Sequence, residues 1–183
     1  DETVRIAFIG NSMMYRNDMP RFIQVLGERS RNRVLQDSCL RGGASLPTSL
    51  VNGNGMYGKW RTRAASIEDG IYDFGMCTVP QLLLGYDDNL QENNANEYYY
   101  DDGKNPCFQD SNYYEFLTEK NEKNPPEWDF VIFNDHTRYP GIEEQRSLSL
   151  ETLEETYVPL LQETNGTVIP VFLATHAYES SVA

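Results

Sequence analysis

Val4-Arg5-Ile6-Ala7-Phe8-Ile9-Gly10-Asn11-Ser12 is the stretch on which the fold turns. Its first part is almost continuously apolar, which fits a strand buried inside a sheet rather than a half-exposed one. It then breaks into Gly, Asn and Ser, residues that tolerate tight turns and cap helices. A second segment repeats the pattern, with Phe130-Val131-Ile132-Phe133 running into Asn134-Asp135. A small polar cluster directly after a buried strand is where an open α/β sheet places its chemistry, because loops at the carboxyl ends of parallel strands converge on one crevice.

Working outward, strand and helix signals alternate. Residues 4–9 read as strand one. Asn17 or Asp18 caps a helix with Pro20 in its first turn, and Phe22, Ile23, Val25 and Leu26 form its apolar face. Residues 33–39 read as strand two and 128–133 as strand three. Residues 143–164 read as a helix with Leu150, Leu153, Tyr157, Leu160 and Leu161 on one stripe. Pro159 within it predicts a kink or an earlier stop. Gly166 breaks the chain before a strand at 167–173. The expected fold is a single α/β domain over residues 1–183, a flavodoxin-like parallel sheet with flanking helices. Its core comes from 4–53 and 127–178, and a long Tyr- and Asp-rich insertion occupies about 54–126.

The blocks Ile9-Gly10-Asn11-Ser12, Arg41-Gly42-Gly43-Ala44-Ser45 and Phe133-Asn134-Asp135, in this order, resemble the SGNH (GDSL-like) hydrolase superfamily. Asn17-Asp18-Met19-Pro20 after the first block looks like the branch in which the turn reads Gly-Asn-Ser and a DLP-like helix start follows. The resemblance implies a serine ester hydrolase, with Ser12 as nucleophile. Gly43, or alternatively Gly42, and Asn134 would then form the oxyanion hole with the Ser12 amide. Such a reaction needs those types. A serine hydroxyl requires a base to take its proton, and the oxygen of the tetrahedral intermediate requires preorganised donors. The superfamily's C-terminal Asp-x-x-His, which supplies acid and base, has no counterpart here, so the expected domain is a truncated one. His136 and His176 are the only histidines. Each follows a strand, and either is a candidate base. Taken singly, each block is also an ordinary turn, and a histidine at a strand end is an ordinary loop residue.

Composition narrows the classes further. A net charge of −13 disfavours nucleic acid and anionic membranes as partners. No apolar run reaches membrane-spanning length. No Cys/His cluster has zinc-ligand spacing, so neither a metal nor a cofactor is expected. Cys39, Cys77 and Cys107 permit one disulfide, and Cys77 with Cys107 is the preferred pair because the two flank the central segment. The Asn165-Gly166-Thr167 sequon and a first residue other than Met fit a secreted or lumenal protein.

Two functions of different kinds follow. One is an esterase acting on O-acyl groups of carbohydrate or lipid, its substrate an acyl ester small molecule or glycan. The other is an inactive SGNH-like binding or structural subunit of a larger assembly, which meets a protein partner through the insertion. In that insertion Tyr86-Asp87-Asp88-Asn89 and Tyr98-Tyr99-Tyr100-Asp101-Asp102 combine aromatic area with negative charge.

Overall fold

Strand β1 (Thr3–Gly10) runs between β2 (Arg33–Leu40) and β3 (Phe130–Phe133), and β4 (Ile169–Phe172) lies outside β3. Every pairing is parallel, giving a four-stranded sheet in the flavodoxin-like order β2-β1-β3-β4. The computed structural model describes residues 3–15, 19–52, 78–84, 127–164 and 167–174. The expected helix caps Asn17 and Asp18, together with Gly166, His176, Cys77, Cys107 and most of the insertion, lie outside these residues.

The sheet is buried on both sides because its strands send apolar residues alternately to each. Ala7, Ile9, Cys39, Val131 and Phe133 pack on one face. There they meet α3 (Leu46–Asn52), α4 (Val79–Leu84) and the helical run from Glu143 to Thr164. Ile6, Phe8, Val34 and Leu40 pack on the other, against α1 (Ser12–Tyr15) and α2 (Met19–Arg29). The α/β class and the parallel sheet expected from the sequence are therefore present, with small shifts of boundary; strand three begins at Phe130 rather than at Trp128.

Helix α2 uses a different face from the one its apolar residues suggest. Met19 and Ile23 pack on the sheet, whereas Phe22 is 61% exposed and Val25 and Leu26 are also exposed. Gly27 explains the choice. A Cβ there would collide with Val34 Cγ2, so the helix lies closest to β2 along Met19, Ile23 and Gly27, one residue per turn. Gln36 Nε2 donates to Gln24 Oε1 at 3.2 Å beside this line. The helix ends in a Schellman motif, with Asn32 N–H on the Gly27 carbonyl and Arg31 N–H on that of Glu28. Arg31 sits at φ 67°, the position usually given to glycine.

The run after β3 also departs from expectation. Pro159 neither stops it nor defines its end. Helix α5 (Glu143–Thr152) passes into a π turn (Leu153–Tyr157), in which Val158 N–H bonds the Leu153 carbonyl, and continues as α6 (Val158–Thr164). Proline crowds the carbonyl four residues back, here Glu155, and a wider turn relieves that crowding. The extra residue in the turn rotates what precedes it by about 100°. Leu150, expected on the buried stripe, is therefore exposed, and Ser149 is buried in its place, while Tyr157 and Leu161 face the core as expected.

Within the insertion, α4 is part of the core. Val79, Leu82, Leu83 and Leu84 are buried in the same cluster as Val131 and Tyr157, and Trp128 Nε1 donates to the Leu82 carbonyl at 3.1 Å. On the opposite side, β4 leaves Ile169, Val171 and Phe172 exposed. Ile169 and Leu173 donate to carbonyls at the two ends of β3, so Pro170 between them turns its N–H-less nitrogen to the open edge, where a strand proline costs least. No helix among the described residues is long and apolar enough to cross a membrane.

Candidate functional site

Because the sheet is parallel, the turns after β1, β2 and β3 emerge at one end. The three predicted blocks lie on these turns, and β1 lies between the other two strands. Backbone bonds tie them first: Arg41 N–H donates to the Gly10 carbonyl at 3.0 Å and Asn134 N–H to the Ile9 carbonyl at 3.1 Å. Side chains then close the arrangement. Asn134, buried, accepts the Asn11 backbone N–H on Oδ1 at 3.0 Å and donates from Nδ2 to Asn11 Oδ1 at 2.8 Å. Asn11 Nδ2 in turn donates to the carbonyls of Ala44 at 2.9 Å and Asp135 at 3.0 Å. One buried pair of amides thus joins all three turns.

Ser12 opens α1 and is partly exposed. The helix starts there because Asn11 caps it, accepting Met13 N–H on Oδ1 at 3.1 Å and Met14 N–H on its carbonyl at 3.0 Å. Gly10 is required just before it, since a Cβ at that position would collide with Asn134 Oδ1.

Gly42 and Gly43 are separated by conformation. Ala44 N–H closes a turn on the Arg41 carbonyl at 3.2 Å, and Gly43, at its third position, has φ +69°. That is the place where a type II turn demands glycine. Both glycines are exposed at the rim, and a Cβ on Gly43 would meet nothing within 4 Å.

Asp135 braces the same region. Its Oδ1 accepts Leu46 N–H at 3.0 Å, at the start of α3, and His136 N–H at 2.7 Å. Its Oδ2 accepts the Ser149 hydroxyl at 2.6 Å from α5. His136 follows it on the rim, its ring 4.7 Å from that of Tyr139, with Nδ1 accepting Arg138 N–H at 3.3 Å. In the neutral imidazole this bond places the ring proton on Nε2.

Below the rim Cys39 and Tyr157 are held neutral. Burial pushes the Cys39 thiol up to about 12, against the opposing pull of Arg41. Tyr157 is raised well above the ordinary phenol value, first by burial, then by Cys39 and Asp135. Its hydroxyl donates to the Leu46 carbonyl at 2.9 Å and its ring meets Phe133 edge to face. Cys39 is thus an inert core residue. Among the described residues no group of three His, Cys, Asp or Glu side chains is arranged to hold a metal.

Sequence reasoning therefore located Ser12, Gly43 and Asn134 on converging turns. It placed Asn11 and Asp135 in those blocks without the bracing role that they have, and it did not single out Ser149, which bonds Asp135. Asn11 reads locally as a turn former, and no periodicity links it to a residue 123 positions away.

No protein-family model and no curated protein matches the chain. Among solved structures it is similar to a DUF4886 family protein from Bacteroides uniformis ATCC 8492, with 14% identity and a TM-score of 0.45, covering 93% of this chain and 49% of that one. The chain spans about half the length of that protein.

Proposed function

We propose that this chain carries the nucleophile and oxyanion-binding part of an SGNH-like serine ester hydrolase acting on O-acyl esters of carbohydrate or lipid. The observation that carries the reading is the convergence of Ser12, the positive-φ Gly43 and the buried Asn134 on three turns joined by one amide pair. In this reading Ser12 Oγ attacks the ester carbonyl. The developing oxyanion takes N–H bonds from Ser12, Gly43 and Asn134, each donor worth about 3–4 kcal/mol in comparable sites. Asn134 Nδ2 has two hydrogens. The bond to Asn11 Oδ1 at 2.8 Å orients the amide, whereas the 3.2 Å bond to the neighbouring Asp135 carbonyl is the weaker one that an oxyanion replaces.

The proton acceptor for Ser12 lies, in this reading, outside the described residues. His136 presents a protonated Nε2 while Nδ1 is occupied by Arg138 N–H, so it does not serve as base in this arrangement. His176 is the other histidine of the chain. The secreted or lumenal setting expected from the sequon and cysteines belongs to the same proposal.

The same two observations favour a second reading. An Asn134 amide with both hydrogens engaged, beside a histidine held in the wrong tautomer, also suits a fold whose chemistry has been lost and which binds a protein partner. Release of nitrophenol from p-nitrophenyl acetate and butyrate separates the two. The hydrolase reading expects turnover that falls about a thousandfold or more in Ser12→Ala. Turnover that survives Ser12→Ala overturns the hydrolase reading, and a carboxyl ester cleaved only by the unmutated protein overturns the binding one.

A further inference from the structure

We infer that Asn11 is a positioning residue, one that holds the Asn134 amide and the Gly43 loop in a single arrangement and acts on substrate only through them. Its effect on rate rests on the hydrolase reading above; the positioning itself does not. Asn11 is 3% exposed, and its side chain is fully engaged. Oδ1 accepts from Asn134 Nδ2 and Met13 N–H, and Nδ2 donates to the Ala44 and Asp135 carbonyls. A primary amide offers two donor hydrogens and two acceptor lone pairs, so no capacity is left for a ligand. The same residue lends its backbone N–H to Asn134 Oδ1, which fixes which end of the Asn134 amide faces which way.

This pattern needs an amide and no other group of its size. Aspartate at position 11 keeps both acceptor bonds, but it sets a carboxylate against two carbonyl oxygens, in a space closed to water. The turn from Arg41 to Ala44 then loses the side-chain tie that runs from the end of β1 to the Ala44 carbonyl. Serine is too short to span from the end of β1 to Ala44. Both substitutions unpin the carbonyl of Ala44, next to Gly43, and Asn11→Ser also removes the acceptor of the Asn134 amide, which then keeps only the residue 11 backbone N–H and the weaker bond to the Asp135 carbonyl.

The test uses the full chain with Asn11→Ser and Asn11→Asp, each also combined with Asn134→Ala. On p-nitrophenyl acetate, kcat is expected to fall about tenfold or more in Asn11→Ser with KM within about twofold, since the lost interaction serves the transition state. The loss in the double variant should be smaller than the product of the two single losses, because both act on one donor. Losses that multiply, or a folded Asn11→Ser with unchanged kcat, overturn the inference. NMR exchange of the Asn134 side-chain amide decides it independently of turnover. Slow exchange in the unmutated protein, faster in Asn11→Ser, supports it, even where no ester is cleaved and the hydrolase reading has failed. Exchange as fast as in a free amide in the unmutated protein overturns it, whether or not the variants fold.

Discussion

Gly10 and Asn134 share one space: the site where a Cβ of residue 10 would lie is taken by Asn134 Oδ1, with Met14 Sδ 3.2 Å from it. The first turn of the site is therefore shaped by a side chain from the third. Gly10→Ala should destabilise the fold by about 1–3 kcal/mol through overpacking. Asn134→Gly in the same chain should return part of that loss, because it removes the colliding atom. Urea denaturation of the two single variants and the double variant measures the coupling, and simple additivity would refute the shared-space account.

Gly43→Ala should cost less, about 1 kcal/mol, and for a different reason. Nothing obstructs the new methyl group, but φ +69° disfavours any residue with a Cβ. Asn134→Gly should give no relief here. A urea midpoint lowered as far as in Gly10→Ala would show that the turn is packed rather than conformationally constrained.

Arg31 presents the inverse case. It holds the left-handed position that ends α2, so Arg31→Gly should raise stability by about 1 kcal/mol. Thermal unfolding is the check; a lower Tm would mean that the arginine side chain contributes more than its backbone strain costs.

Trp128 anchors α4 to the sheet through Nε1 on the Leu82 carbonyl, near the helix C-terminus, where carbonyls lack helical partners. Trp128→Phe should cost about 1–3 kcal/mol. Amide exchange should quicken first in residues 79–84. Uniform acceleration across the sheet would instead mean that α4 has no separate opening.

Alkaline pH should expose Cys39 and Tyr157. Both hold their protons to higher pH in the folded chain than the ordinary values of 9.0 and 10.0. Above those values the unfolded chain releases protons that the fold retains, so stability is full below about pH 9 and falls as pH rises. Cys39→Ala and Tyr157→Phe should each flatten the decline of Tm between pH 9 and 11. Tyr157→Phe should also cost about 0.5–1.5 kcal/mol at neutral pH for its bond to Leu46. Identical pH profiles in all three proteins would refute the assignment. Native Cys39 should resist iodoacetamide.

The strands and their parallel order were legible in the sequence because runs such as Val4 to Ile9 and Phe130 to Phe133 have no reading except burial on both faces. The convergence of Ser12, Gly43 and Asn134 then followed from the sheet. What was hidden depended on distant partners. The face used by α2 is set by Gly27 against Val34, not by its own apolar residues. The core role of α4 rests on six residues in a polar stretch, too few for a periodicity. The amide pair of Asn11 and Asn134 leaves no local mark, since each asparagine alone suits a turn.

The π turn at Leu153–Tyr157 divides one continuous helix into two reading frames. The segment before it is in phase with Asp135 through Ser149, while Tyr157, which closes the turn, and Leu161 in the segment after it are in phase with the core. Deleting a single residue between 153 and 157 would restore an ordinary helix and bring the two halves into one frame. Only one of the two attachments would then survive, so the chain length of this turn matters more than the identity of its exposed side chains. Insertions and deletions should be excluded here, whereas substitutions of Glu154 and Glu155, both exposed, should pass with little effect.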